Sequence, residues 1–336
     1  MNIKSIKQLQ LNSSFTLNAV ISRFSQRKDK NNNTFWDLTL SDSTGELTCK
    51  VWSKATVRSS QNNENTPIEL DMENPNVKLE GAPVSVNGKV AQFSGNLQYN
   101  INELTFLNQN NINTEEITKH SNIPEEVLKD KFQNLILSIK NEELLNFVDK
   151  FFSSDIYDKF IISPAGVRIH HAYKGGLLEH SVSVASLGLE MSEHYKDYGI
   201  PVNADLVIAG GLLHDVGKIY TYTCDNIPIM NLEGNLLNHI VLGYQKVIEA
   251  AERYNLNHEF TLALGHIILS HHGKLEFGSP VPPQMPEAMI VSAADDIDFK
   301  LNYWKNQVES LPPQSDFTDF LPLVERRFWK GISLNS

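Results

Sequence analysis

The chain has 336 residues, 41% hydrophobic and 21% charged, with a net charge of -11. That length admits two domains, one of them with a sizeable core, and the acidity excludes a protein that coats nucleic acid nonspecifically. No run approaches the roughly twenty apolar residues of a membrane span, the start MNIKSIKQLQ lacks a signal-peptide core, and Cys49 and Cys224 lie far apart without CxxC spacing; a cytoplasmic protein with two buried, reduced thiols is expected, not a disulfide framework or a zinc ribbon.

Up to residue 108 the apolar period is two. FTLNAVI, TFWDLTL, GELTCKVW, APVSVNGKV and LQYNINELTFL alternate apolar with polar residues between turn-rich stretches such as RKDKNNN, SDSTG and FSGN. These predict about five strands, and the polar stretch 59–76 falls where a five-stranded barrel of the OB type places a helix or a long loop. In TFWDLTL the inward residues are Trp36, Leu38 and Leu40, and in GELTCKVW they are Leu47, Cys49 and Val51. Phe35 and Trp52 then point outward beside Lys50, the combination with which OB folds stack bases and follow a strand. The competing expectation is that these aromatics pack on another domain. Arg23, Arg27, Lys28 and Lys30 in the first hairpin are candidates for phosphate contact.

Residues 109–122, QNNINTEEITKHSN, read as a linker, and from 123 to 336 the pattern turns helical, opened by Asn122 and Pro124 before EEVLKDKFQNLILSIK. The second domain is expected to be all-α. The charge divides along the same line: residues 1–108 carry 11 Lys+Arg and 10 Asp+Glu, whereas 109–336 carry 18 and 30. A mildly basic module thus precedes an acidic one, a balance suited to cations or metal-bridged phosphates.

Five helical segments of the acidic module bring ionisable residues into apolar surroundings. His180 lies in GGLLEHSVSVASLGLEM; His214 and Asp215 end ADLVIAGGLLHDVGK, where Gly210 and Gly211 allow another helix close approach; His239 opens NHIVLGYQKVIEAAERY after Asn238 as a cap; His271 and His272 close TLALGHIILSHHG before Gly273; and Asp295 lies in PEAMIVSAADDIDF after Pro286. A single histidine of this kind is more often an ordinary polar residue than a ligand. Together the set is different, because a carboxylate among Ala, Val and Ile is several kcal/mol out of place without a cation or a strong partner. Imidazoles and carboxylates without thiolate suit Mn, Fe, Co, Ni or Zn. Seven ligands exceed what one ion with an open position uses, so two ions are expected.

The order His180, His214-Asp215, Asp295 resembles the H…HD…D signature of HD-domain metal-dependent phosphohydrolases. The resemblance implies a first metal held by His180, His214, Asp215 and Asp295, and a second held by His239, His271 and His272 with Asp215 bridging. A trinuclear subgroup has an acidic residue four positions before the first histidine; Gly176 stands there in this chain, which argues against a third metal. With an OB fold ahead of RIHHAYKGGLLEHSVSVA, GGLLHDVGK and SHHGKLEFGSP, the whole chain is similar to the YhaM-type 3′→5′ exoribonuclease family. That resemblance implies a 3′→5′ exonuclease releasing 5′-mononucleotides, with two divalent ions, Mn foremost. Single-stranded RNA is the implied partner, and single-stranded DNA and a second copy of the chain as a homo-oligomer are further candidates.

Asp215 and Lys218 are the catalytic candidates, Lys218 as a cation for a phosphate oxygen. Arg168, His170 and His171 are assigned to substrate, as are Phe35, Lys50 and Trp52. Asp298 is a candidate for orienting a ligand, His266 for a structural role, and His120, His194 and His258 for solvated positions. A nucleotide or cyclic-dinucleotide phosphohydrolase with a regulatory OB domain, and a nucleic-acid-binding protein with an inert HD scaffold, are the rival readings.

Overall fold

The computed structural model of the chain describes residues 1–60, 68–108, 117–153, 155–167, 171–224, 226–311 and 315–332; Arg168 and His170 lie outside the described residues, as does the side chain of Cys224. Two compact units emerge, Met1–His120 with Asp225–Ile227, and Ser121–Cys224 with Pro228–Ser336. Among the described residues no helix is long and apolar enough to cross a membrane.

The N-terminal unit opens with a single helical turn, α1 (Ile3–Ile6), followed by β1 (Ser14–Lys28), β2 (Thr34–Asp42), β3 (Gly45–Ser59), the two-residue β4 (Ile68–Glu69), β5 (Pro83–Phe93) and β6 (Asn96–Phe106). The far half of β1 pairs with β2, and its near half pairs with β5. β2 continues to β3, β3 runs parallel to β6, and β6 returns to β5. Each of the five long strands therefore has partners on both sides, in the OB-type arrangement. The alternation in the sequence sets the faces: Trp36, Leu38, Leu40, Leu47, Cys49 and Val51 are all buried in one core. Burial pushes the Cys49 thiol up, so it stays protonated and inert. Asp42 fastens α1 to the β2–β3 turn, accepting from the Ile3, Thr44 and Gly45 amides.

The second unit carries α2 (Glu125–Ser138), α3 (Glu142–Phe152), α4 (Asp155–Ile162), α5 (Gly176–Asp197), α6 (Ala204–Leu213), a 3-10 turn at Val216–Tyr220, α7 (Leu232–Tyr254), α8 (His258–Ser270) and α9 (Pro286–Glu309). Phe132, Phe152, Phe160, Leu212, Val247 and Ile268 belong to its main core. The all-α expectation needs one correction: β7 (Tyr222–Cys224) and β8 (Pro228–Met230) form a small hairpin. The expected start at His239 needs another. α7 begins at Leu232, capped by Asn231, and Asn238 breaks it with φ 66°, its side chain accepting from the Ile240 amide.

Close helix crossings position the site. A Cβ on Gly211 would come within 2.7 Å of Ala185 Cα, and one on Gly210 within 2.8 Å of Ile267 Cδ1. α6 therefore lies directly on α5 and α8, and the His214-Asp215 turn at its end faces His180 and His271.

Candidate metal centre

Asp215 is the hub. Its Oδ2 lies 3.2 Å from His180 Nε2 and 3.4 Å from His214 Nε2, while its Oδ1 lies 3.2 Å from His239 Nε2 and 3.5 Å from His271 Nε2. Asp295 Oδ1 joins the first group at 3.2 Å from His180 Nε2, and His272 joins the second, where its ligand atom lies within 4.8 Å of those of His239 and His271. Donors bound to one divalent ion at about 2.0–2.2 Å sit roughly 2.8–3.6 Å apart, and the contacts of Asp215 with its four imidazoles and of Asp295 with His180 fall in that range. The chemistry fits as well. Asp215 Oδ1, His239 Nε2 and His271 Nε2 are buried without a hydrogen bond, at a cost of about 1–3 kcal/mol each unless a cation satisfies them.

The rear nitrogens fix which face each imidazole presents. His214 Nδ1 donates to Gly211 O at 2.8 Å, His271 Nδ1 to Ile268 O at 2.7 Å, His272 Nδ1 to Phe277 O at 2.8 Å, and His180 Nδ1 to Asp298 Oδ2 at 2.7 Å. Because these oxygens can only accept, each Nδ1 carries a proton and each Nε2 faces the centre, where burial of His180 is outweighed by the carboxylates around it, which raise its pKa, and its Nε2 lies 3.1 Å from His214 Nε2. Two of the acceptors are carbonyls three residues back on the same helix, so the helix ends themselves orient His214 and His271.

Burial pushes the Asp215 carboxyl up, but Lys218 and His214 outweigh it and hold Asp215 well below the usual carboxylate range. Asp295 is likewise held low, burial being overcome by His180 and the neighbouring imidazoles. Burial brings His239 down to about 3, and burial together with His271 brings His272 down to about 4, so both are neutral at pH 7, the form that could bind a metal. Lys218 is buried against Asp215 Oδ2, which keeps it charged despite its burial. It reaches the carboxylate that joins the two groups, an engagement the sequence did not suggest.

His171 requires a correction. Expected at substrate, it is 3% exposed and stands behind His180, its Nε2 3.0 Å from Asp298 Oδ2 and its Nδ1 2.9 Å from Tyr173 Oη. The Tyr173 hydroxyl gives its one proton to Glu179 Oε2 at 2.6 Å, so His171 Nδ1 must donate as well. His171 is thus a cation between two carboxylates, and its pKa is raised, burial being overcome by Asp298 and Glu179. Its backbone sits at φ 43°, and a Cβ on Gly176 would lie 1.9 Å from its carbonyl oxygen. No side chain fits at Gly176, which removes the acidic position of a trinuclear site. Asp298, accepting from His171, His180 and the Ser183 hydroxyl, orients His180. Asp298→Asn should weaken the first metal about 10- to 100-fold with the second little changed, as read by competitive metal titration. Unaltered first-site affinity would remove Asp298 from this role.

In the N-terminal unit Trp52 stacks on Phe35 with ring centroids 4.8 Å apart and donates from Nε1 to Asn100 Oδ1 at 2.9 Å. Phe35 is outside the core cluster yet only 9% exposed, a correction to the expectation of two open rings. Alternation gives the face a residue lies on, not what covers it. Lys50 Nζ lies 4.9 Å from the Phe35 ring centroid and is paired with Asp37, which also pairs with Arg27 at 3.0 Å. Lys28 lies 3.6 Å from Glu73. His266 is structural, its Nε2 accepting from the Gln284 amide.

Residues 177–300, which contain all seven candidate ligands, match the HD domain family. The second unit is an HD domain. Over nearly its whole length the chain is a homologue of proteins named 3′-5′ exoribonuclease YhaM. It is 29% identical over 301 residues to that of Bacillus subtilis (strain 168), covering 89% of each chain, and 29% identical over 302 residues to that of Oceanobacillus iheyensis, covering 89% of this chain and 88% of the relative. Among solved structures, the second OB-fold domain of replication protein A from Methanococcus maripaludis aligns with a TM-score of 0.22 and 20% identity, covering 32% of this chain and 93% of that one.

Proposed function

We propose that this chain is a metal-dependent 3′→5′ exonuclease that releases 5′-mononucleotides from single-stranded RNA, with single-stranded DNA as a second substrate. Residues 1–108 hold the strand, 109–122 link, and 123–336 hydrolyse. The observation that carries the reading is the Asp215 carboxylate, one oxygen facing each imidazole group, with Asp215 Oδ1, His239 Nε2 and His271 Nε2 buried and without hydrogen bonds. An inert scaffold has no use for such groups. The names of the relatives support RNA as substrate and the 3′→5′ direction.

His180, His214, Asp215 and Asp295 would hold one divalent ion and His239, His271, His272 and Asp215 a second, Mn being our choice for both. When bound, such a pair supplies Lewis acidity, an acidified water and stabilisation of the leaving oxygen. The chain's part is to fix the donors: Asp298 and the carbonyls of Gly211, Ile268 and Phe277 hold four Nδ1 protons away from the centre. Lys218 keeps Asp215 ionised and adds positive charge near the developing phosphate charge. Incubation with 5′-labelled single-stranded RNA and Mn should give a ladder shortening from the 3′ end; mid-chain cuts as first products would mean an endonuclease.

Strand holding has its own test. Stacking is worth about 1–3 kcal/mol per base, so Trp52→Ala should weaken single-strand binding roughly five- to a hundredfold without changing the slope of log K against log salt. Fluorescence anisotropy at several salt concentrations measures both; unchanged affinity would take the strand off this face.

A further inference from the structure

The rim of the metal centre carries an aromatic ring that the reading above leaves unused. His180, His214, Asp215 and His271 are buried, whereas His239, His272 and Asp295 are only partly so, and these three form the rim of the cluster. Beside His272 the rim is the loop 273–279. It is tightly held. His272 donates its amide to Ser279 Oγ at 3.1 Å and its Nδ1 proton to Phe277 O at 2.8 Å, and within the loop Phe277 N and Gly278 N donate to Lys274 O and Leu275 O. Gly273 and Gly278 take φ of +78° and +97°, and a Cβ on Gly273 would lie 2.9 Å from Ser292 Oγ of α9. Despite this order the loop leaves Phe277 58% exposed, with the Lys274 ammonium 5.2 Å from its ring centroid.

We propose that Phe277 is a substrate-positioning residue whose ring stacks on the terminal nucleobase of the strand while the scissile phosphodiester lies at the metal centre; this rests on the exonuclease reading. The Phe277 carbonyl holds the His272 Nδ1 proton, so ring and ligand share one rigid backbone unit and their offset is set. An aromatic face accepts any base, as trimming a strand of any sequence requires, and the adjacent Lys274, paired with Glu276 at 3.1 Å, stays exposed to an approaching polyanion. Leu275, also exposed, offers no π face.

The test pairs a protein change with a substrate change. Wild type, Phe277→Ala and Phe277→Trp are compared on two 5′-labelled oligoribonucleotides that differ only in whether the 3′-terminal residue carries its base or is abasic, and kcat/KM for removal of that residue is measured. We expect the wild type to favour the intact end about five- to a hundredfold, the alanine variant to lose most of that preference, and tryptophan to restore it. Equal slowing of both substrates by Phe277→Ala would make the residue merely structural and overturn the proposal, as would no change on either. If wild type removes no terminal residue from either oligomer, the exonuclease reading itself fails and the proposal falls with it.

Discussion

Asp215→Asn should empty both metal positions and reduce hydrolysis by at least about a thousandfold, since metal stabilisation of transition-state charge is worth several kcal/mol and each 1.4 kcal/mol is tenfold. The carboxylate is symmetric: either oxygen presents lone pairs, and the two oxygens face different imidazole groups. A carboxamide has one acceptor. Its NH2 must turn to one group and present protons where a cation belongs, so at most one metal survives. The same change leaves Lys218 buried without its counterion, and breaking a buried pair costs about 3–5 kcal/mol. Lys218→Met in the same chain should restore much of the lost thermal stability and none of the activity. Elemental analysis of the purified variants checks the metal count, and thermal melts check the compensation. Two metals retained by Asp215→Asn would remove the bridging role.

The ligands stood out in the sequence because each is an ionisable side chain in an apolar helical context, a conflict visible within a dozen residues. What arranges those ligands was hidden. Asp298 meets His180 and His171 across 118 and 127 positions of chain, and only the packing of α5 on α9 makes them neighbours. His171 beside His170 therefore looked like a substrate group, when the strained turn before α5 carries it inward behind the first ligand. The β7–β8 hairpin escaped because three residues per strand cannot show a period of two. Asn238 was noticed as a helix signal, but a residue that starts a helix and one that breaks it look alike without the six residues before it, Leu232–Leu237. On the barrel, alternation sorted Trp36 from Phe35 correctly and could not reveal that Trp52 lies over Phe35.

The glycine of HDVGK shows how local the control of this site is. Gly217→Ala should abolish the second metal while leaving the first largely in place. A Cβ on Gly217 would lie 1.9 Å from His239 O and 2.6 Å from Gly243 N, both backbone atoms that no rotamer change can move aside. The Val216–Tyr220 turn and α7 must separate, and His239 Nε2 leaves its position 3.2 Å from Asp215 Oδ1. A misplacement of about 1 Å can cost a hundredfold in rate, and overpacking adds about 1–3 kcal/mol of destabilisation. Gly188→Ala is the control: its Cβ would meet Val207 Cγ1 at 2.7 Å, a side-chain atom away from the ligands, so stability should fall with both metals kept. Metal titration beside thermal melting separates the two variants. If Gly217→Ala binds two metals with wild-type affinity, α7 tolerates the shift and His239 is not positioned by the turn that carries Asp215.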